Sequence, residues 1–221
     1  ERRMVAELVG RDSAALHDTL SRVGFRRSHG LIYAPICQNC SACKAVRSVV
    51  DEFQATVSQK RVMRVNRDIR VKMMAAKATT DQFQLFSRYQ DVRHTGGEMA
   101  TMDYYDYQAL IEETPVDSMV VEFRGPDGGL LGTCLVDQMH DGLSAVYSFF
   151  DPGQPRRSLG TYMILWLIER AHSLDLPYVY LGYWIEGSPK MSYKQRFNPL
   201  EYYTANGWSP TPHPEALETI G

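Results

Sequence analysis

Residues 144–184, SAVYSFFDPGQPRRSLGTYMILWLIERAHSLDLPYVYLGYW, decide the fold. Ser144–Phe150 is a short apolar run with β-branched and aromatic residues, which reads as a buried strand. A turn rich in Pro, Gly and Arg follows, and the apolar stretch from about Leu159 to His172 has the length of a helix. Pro177–Trp184 then reads as a second buried strand. Strand, helix and strand in some 40 residues make a βαβ unit, which predicts two parallel strands joined by a crossover helix.

Upstream, Met119–Phe123, the turn Gly125–Gly129 and Leu130–Val136 predict a hairpin feeding this unit. Helices are expected over residues 81–92 and 102–113, the second capped by Asp103. Nearer the start, residues 12–24 predict a helix with Leu16, Leu20 and Val23 on one face and Gly24 as its stop. Leu31–Ile36 and residues 45–53 read as strands on either side of a cysteine loop. Residues 58–72 read as one helix with Val62, Val65 and Ile69 opposite Lys60, Arg64 and Arg67. The resulting expectation is an α+β fold in which a mixed sheet is flanked by helices. Its division would be an N-terminal region 1–77, a catalytic region 78–209 and a tail 210–221.

The 221 residues are 44% apolar and 23% charged, ordinary for a globular chain able to build a sizeable core. The net charge of −2 conceals an uneven distribution. Segment 58–77 holds seven Lys or Arg against Asp68 alone, whereas 95–123 holds seven Asp or Glu and no Lys or Arg. No uninterrupted apolar run approaches the roughly 18 residues of a membrane helix, so a soluble protein is expected. Four cysteines, three of them within Cys37–Cys43, are unlike a secreted disulfide framework and point to a reducing cytoplasm. The chain opens at Glu1 rather than Met, which leaves room for an upstream segment.

Five groups of residues could carry chemistry. Arg156, Arg157, Ser158 and Gly160 occupy a strand-to-helix turn, where free amides and fixed charge attract phosphate or an oxyanion. The same turn needs Gly and tolerates surface Arg for structural reasons alone. Tyr183, Glu186, Lys190, Tyr193, Lys194 and Arg196 follow the end of a parallel strand, the usual location of ligands in open sheets. Lys60, Arg64 and Arg67 would track a phosphate backbone, or simply solvate a helix face. Cys37, Cys40 and Cys43, spaced C-x-x-C-x-x-C, suit zinc or an iron-sulphur cluster if a fourth ligand such as Cys134 or His29 joins them. They could equally be reduced, unliganded thiols. His94, beside two glycines, could serve as a base or a substrate contact.

Together, GFRRSHGLIYAPICQNCSACKAVRSVVDEF, SQKRVMRVNRD, YQDVRHTGGEMATMDYYDY, AVYSFFDPGQPRRSLGTYMILWLIERA and YVYLGYWIEGSPKMSYKQRFNPLE resemble the bacterial branch of the arginyl-tRNA-protein transferase family. That branch comprises the aspartate/glutamate leucyltransferases of the N-degron pathway. The blocks follow the family's order over nearly the whole chain. The resemblance implies an N-acetyltransferase-like catalytic half and transfer of an aminoacyl group from charged tRNA to proteins beginning with Asp or Glu. No cofactor is required for such a transfer. The family usually begins with a cysteine-containing stretch ahead of this chain's Glu1, which bears on any metal site at the Cys loop.

Under that resemblance, His94 and Glu186 are candidate bases, and Tyr183 or the amides near Ser158–Gly160 candidate oxyanion donors. Arg47, Lys190, Tyr193, Lys194 and Arg196 would hold the acidic acceptor. Lys60, Arg64, Arg67, Arg156 and Arg157 would hold the tRNA. Residue types alone leave three alternatives: arginine as the donor amino acid, a CoA-dependent N-acyltransferase, and a non-catalytic RNA-binding module built on a zinc knuckle.

Overall fold

The computed structural model describes residues 2–212. A small antiparallel sheet and a large mixed one organise them. The small sheet has the order β1-β3-β2, with β1 Arg3–Glu7, β2 Arg26–Ser28 and β3 Leu31–Pro35. Helix α1 (Ser13–Arg22) lies between β1 and β2 in sequence.

Eight strands form the large sheet: β4 (Cys43–Val49), β5 (Arg70–Ala75), β6 (Ser118–Arg124), β7 (Leu130–Met139), β8 (Gly142–Phe150), β9 (Tyr178–Ile185), β10 (Leu200–Thr204) and β11 (Gly207–Ser209). Their order is β11-β10-β4-β9-β8-β7-β6-β5, antiparallel throughout except that β8 and β9 are parallel. The expected βαβ unit is therefore present, with α5 (Leu159–Ser173) as its crossover. β4 pairs with β9 and β10, and β5 with β6, so the large sheet takes strands from both sides of residue 77. Most of the expected tail 210–221 lies outside the described residues.

Both sheet faces are covered, which is why the central strands are apolar at consecutive positions. On β6 and β7, Val121, Phe123, Cys134 and Val136 face a core shared with α5, while Val120 and Leu135 face a second core. That second core is built with α3 (Thr80–Arg93) and α4 (Tyr104–Glu112). Both helices begin with capping boxes, Thr79 with Gln82 and Asp103 with Asp106.

Two helical segments depart from what their sequence alone suggests. In α1 the buried positions are Ser13, His17 and Ser21, while Leu16 and Val23 are exposed. The reason lies across the molecule. Asp137 of β7 is fully buried, accepts two bonds from the Arg27 guanidinium at 2.6 and 2.7 Å and one from Ser118 at 2.5 Å, and lies 3.4 Å from His17 Nε2. A buried carboxylate requires such partners, so the polar stripe of α1 turns inward.

The basic segment is likewise not one helix. Helix α2 covers Val57–Val65 behind a Thr56–Gln59 capping box, and the chain then turns into β5. Val65 is exposed, Arg67 lies in the turn, and Arg70 and Lys72 project from the edge strand of the sheet. Exposed cations on an edge strand oppose pairing with another chain.

Candidate active site

Strands β8 and β9 pair only where Gly142–Ser144 meets Tyr178–Tyr180, and beyond that point they diverge. Gly142 allows this close meeting, since a Cβ there would come within 2.5 Å of the Tyr178 carbonyl. A bulge in β8 opposite Leu135/Val136 bends the strand as the separation opens. The N–H and C=O groups of β8 that face β9 therefore lose their ladder partner after Ser144.

The wedge between the two strands holds a cavity of about 510 Å³. Met163, Ile164 and Leu167 of α5, with Leu181 and Cys134, form an apolar lining. Five tyrosines also line it, namely Tyr33, Tyr89, Tyr147, Tyr183 and Tyr193, together with the basic side chains of Arg3, His94, Lys190 and Lys194. Among the described residues no Asp or Glu lines this space.

The most distinctive group in the cavity is Lys194. It belongs to a short 3-10 segment, Ser192–Phe197, that folds back after β9, and it is only 7% exposed. Its Nζ donates to the Tyr183 carbonyl, and burial lowers its pKa to about 8. Burial pushes the Tyr147 and Tyr193 phenols up to about 12, with Gln90, which donates to the Tyr147 oxygen at 2.6 Å, opposing the shift at Tyr147. These phenols stay protonated at neutral pH. Burial also pushes the Cys134 thiol up to about 12, which makes it an inert wall.

Of the residues selected from sequence, Tyr183, His94, Lys190, Tyr193, Lys194 and Cys43 line the cavity. His94 caps the end of α3 and packs its ring 5.4 Å from that of Tyr89. Tyr183 is present in a different capacity from the one expected. Its hydroxyl faces the carbonyl oxygens of Gly24 and Tyr33 at 3.0 and 2.9 Å, so its one hydrogen is engaged by the N-terminal sheet region and is not free for an oxyanion. Burial raises its pKa further above the ordinary phenol value.

Four other expected residues stand elsewhere. Arg47 is buried in an aromatic and acidic cage: it pairs with Glu201 at 2.6 Å, donates to Tyr180 Oη at 3.0 Å, and stacks 3.4 Å from the Tyr178 ring centroid and 4.1 Å from that of Trp208. Its charge is committed to this cage, and it does not line the cavity. Glu186 is exposed just past β9, and Arg196 is exposed and gives its carbonyl to Gln59 at 2.7 Å; neither lines the cavity. Arg157 has both arms of its fork on Asp68, each at 2.8 Å, which raises its pKa and lowers that of Asp68. Its charge is thus largely neutralised.

Ser158 takes a left-handed conformation at the start of α5, and the helix start at Ser158–Gly160 adjoins Phe150 rather than the cavity lining. The amides expected to meet an oxyanion are thus outside the cavity lining. Arg156, Lys60, Arg64 and Arg67 are exposed on the surface beside that helix start. Asn66, between Arg64 and Arg67, donates to the Arg157 carbonyl at 2.8 Å, which fixes α2 against the turn.

The three clustered cysteines are not gathered. Cys37 Sγ contacts the Arg2 backbone, Cys40 is exposed, and Cys43 faces the cavity from β4. Among the described residues no three His, Cys, Asp or Glu side chains are grouped as metal ligands, so these thiols as placed do not fit a zinc or iron-sulphur centre. Sequence reasoning missed Arg3, Tyr33, Tyr89 and Tyr147, because nothing in their local spacing separates a cavity aromatic from a core aromatic.

Two family models match the chain: arginine-tRNA-protein transferase, N terminus, over residues 1–61, and the C terminus of the same family over residues 81–204. The chain is 53% identical to the aspartate/glutamate leucyltransferase of Paramagnetospirillum magneticum over 94% of this chain and 85% of the relative. It is 51% identical to the leucyltransferase of the same name from Gluconacetobacter diazotrophicus over 95% and 81%. Among solved structures it is similar to L-PGS from Bacillus licheniformis (TM-score 0.55, 10% identity, 88% of this chain and 64% of that one). It is also similar to FemX (TM-score 0.52, 8% identity, 88% and 68%). These two likenesses concern the fold alone, an N-acetyltransferase-like mixed sheet flanked by helices.

Proposed function

The chain belongs to the arginine-tRNA-protein transferase family, and from that premise we propose that it moves leucine from Leu-tRNA to the α-amine of proteins beginning with Asp or Glu. The product would enter N-degron proteolysis. The observation that carries the choice of donor is the cavity lining, which is apolar, aromatic and basic and holds no carboxylate among the described residues. A leucine side chain gains about 1.5–3 kcal/mol when buried against such a surface. An arginine side chain would lose its water there and find no anion, which costs several kcal/mol more. The basic side chains of the lining suit both an anionic acceptor and a phosphate-bearing donor.

The chemistry needs little beyond placement. The aminoacyl ester is already activated, so holding it beside a neutral amine replaces an encounter in solution with an intramolecular attack. The amine lone pair forms the C–N bond, the C–O bond to ribose breaks, and the ribose hydroxyl leaves with a proton. A terminal α-ammonium has a pKa of about 7.7–8.0, and His94, which lines the cavity, is placed to take its proton directly or through water. Free N–H groups on the open side of β8 meet the negative oxygen of the tetrahedral intermediate. Lys194 faces the acceptor's carboxylate from inside the cavity. No step runs through a metal.

The direct test offers purified protein Leu-tRNA, Arg-tRNA and acetyl-CoA separately, with peptides beginning with Asp, Glu, Lys or Ala. Leucyl transfer to the Asp and Glu peptides is expected, with kcat/KM for Leu-tRNA at least about 100-fold above that for Arg-tRNA. Transfer from acetyl-CoA alone, or from Arg-tRNA in preference, would overturn the reading. The basic surface makes a second prediction. Arg64→Glu with Arg67→Glu should raise KM for Leu-tRNA and flatten its salt dependence by about two units of slope, leaving kcat at saturation intact. An unchanged KM would remove the surface from the tRNA path.

Nothing in this scheme involves a lipid phase, and among the described residues no helix is long and apolar enough to cross a membrane.

A further inference from the structure

From the last residue of α3 the chain runs Arg93-His94-Thr95-Gly96-Gly97 and, with Lys190 from the segment after β9, bounds a second, open cavity of about 480 Å³. His94 and Lys190 line both this space and the wedge between β8 and β9, so the two cavities adjoin. Three basic residues, Arg93, His94 and Lys190, converge on it from two separate segments, and among the described residues no Asp or Glu lines it. The loop backbone is turned tightly: Gly96 has φ +77°, and the Gly97 N–H closes onto the His94 carbonyl at 2.8 Å. Two glycines leave that backbone bare, which lets a bulky oxyanion approach it closely.

The position of this space says more than its composition. The Arg93 guanidinium lies 5.7 Å from the Phe150 ring centroid, and the same ring packs against Gly160 at the start of α5. From there Arg157 and Asn66 lead directly to Arg64 and Arg67. The loop thus adjoins both the reacting cavity and, through Phe150, the helix start on which the turn after α2 is fixed. A helix C-terminus alone would account for Arg93 and His94, but not for Lys190 arriving from another part of the chain.

We propose that Arg93, Lys190 and the Thr95–Gly97 backbone seat the phosphodiester linking the last nucleotides of the donor RNA. The proposal rests on the leucyl-transfer reading above. A polynucleotide whose terminal ester lies in the wedge and whose stem meets α2 must cross this gap with a phosphate every nucleotide. The acidic side chain of an acceptor would use the same cations, but it has no reason to lie on the line toward α2.

The test uses Arg93→Gln, Lys190→Gln and the double variant in the full chain. Two donors are compared: Leu-tRNA, and 3′-O-leucyl-adenosine, which carries no phosphate. The double variant should raise KM for Leu-tRNA about tenfold or more, as expected for lost charge-assisted bonds, and flatten its salt dependence by about two units. For Arg93→Gln, whose side chain lies outside the wedge lining, reaction with leucyl-adenosine and the acceptor peptide's KM should stay as they are in the parent. In that variant equal effects on both donors, or a rise confined to the acceptor's KM, would overturn the proposal, the latter making the loop a carboxylate seat. Binding of an uncharged acceptor-stem hairpin ending in CCA, followed by fluorescence anisotropy, judges the seat separately. If the parent binds the hairpin but transfers no leucine, the functional reading fails while weakened hairpin binding by the double variant still supports the seat. Undiminished hairpin binding by that variant refutes the seat whatever the activity.

Discussion

Replacing Asp137 with Ala is expected to lower the unfolding free energy by about 3–5 kcal/mol, the range for removing one partner of a buried ion pair. Few single side chains in this chain are so fully committed. Asp137 is 0% exposed and receives both the Arg27 fork and Ser118, and Ser118 in turn bonds to Thr114. Truncation strands the Arg27 guanidinium, 7% exposed, without a counter-charge and leaves His17 facing a void. For a chain of this size, 3–5 kcal/mol corresponds to a melting temperature lower by roughly 6–20 °C. Asp137→Asn keeps the volume and some bonds but not the charge, so it should fall between parent and Ala. A melting temperature for Asp137→Ala within a degree or two of the parent's would refute this account.

The same network carries a pH signature. Burial lowers the pKa of His17 below its ordinary 6.5, against the pull of Asp137 and with the help of Arg27 and Arg26. The unfolded chain therefore binds a proton at this site that the folded chain refuses. Stability must fall as pH drops below about 6.5, and His17→Gln should flatten that slope.

How much of this was legible depends on whether a residue's partner is near in sequence. The β8-α5-β9 unit could be read because apolar runs, turn residues and lengths are local signals, and the same holds for the Asp103 cap. The inward face of α1 could not: Ser13, His17 and Ser21 look like a solvent stripe until Asp137, more than a hundred residues away, is placed opposite. Arg47 reads as a ligand cation and is in fact enclosed by Glu201, Tyr178 and Trp208, each contributed by a later strand or its flank. The basic segment misleads for another reason: Val62, Val65 and Ile69 keep a helical period through the turn at Arg67, while β5 is fixed by its pairing with β6. Lys194 was legible as a candidate because it follows a strand end. Its burial and its bond to Tyr183 were not. The absence of carboxylates from the described lining, which separates leucine from arginine as donor, is a property of the assembled cavity and has no counterpart in any one stretch of sequence.

Lys194→Met should have the largest effect on activity of any change in the cavity. Methionine fills similar space, so the cavity shape persists while the cation is lost; the Tyr183 carbonyl loses its donor, at a cost to stability of about 1–3 kcal/mol. If Lys194 meets the acceptor's carboxylate, its removal strands that anion in a desolvated site, worth about 2–4 kcal/mol or roughly 30- to 1,000-fold in kcat/KM for Asp and Glu peptides. KM for Leu-tRNA should change little, which a general collapse of the site would not allow. The pH profile supplies the discriminating readout. The acceptor amine must be neutral, so the rate rises toward pH 8 as its proton is lost. Lys194, lowered to about 8, must be charged to hold the carboxylate, so acceptor binding weakens above that value. The two opposing ionisations give a bell with a narrow top. Lys194→Arg keeps a cation that does not titrate in this range; it should recover part of the activity and remove the falling limb. A falling limb that survives in Lys194→Arg, or equal losses toward acceptor and tRNA in Lys194→Met, would show that the ammonium serves the fold and that another group reads the acidic terminus.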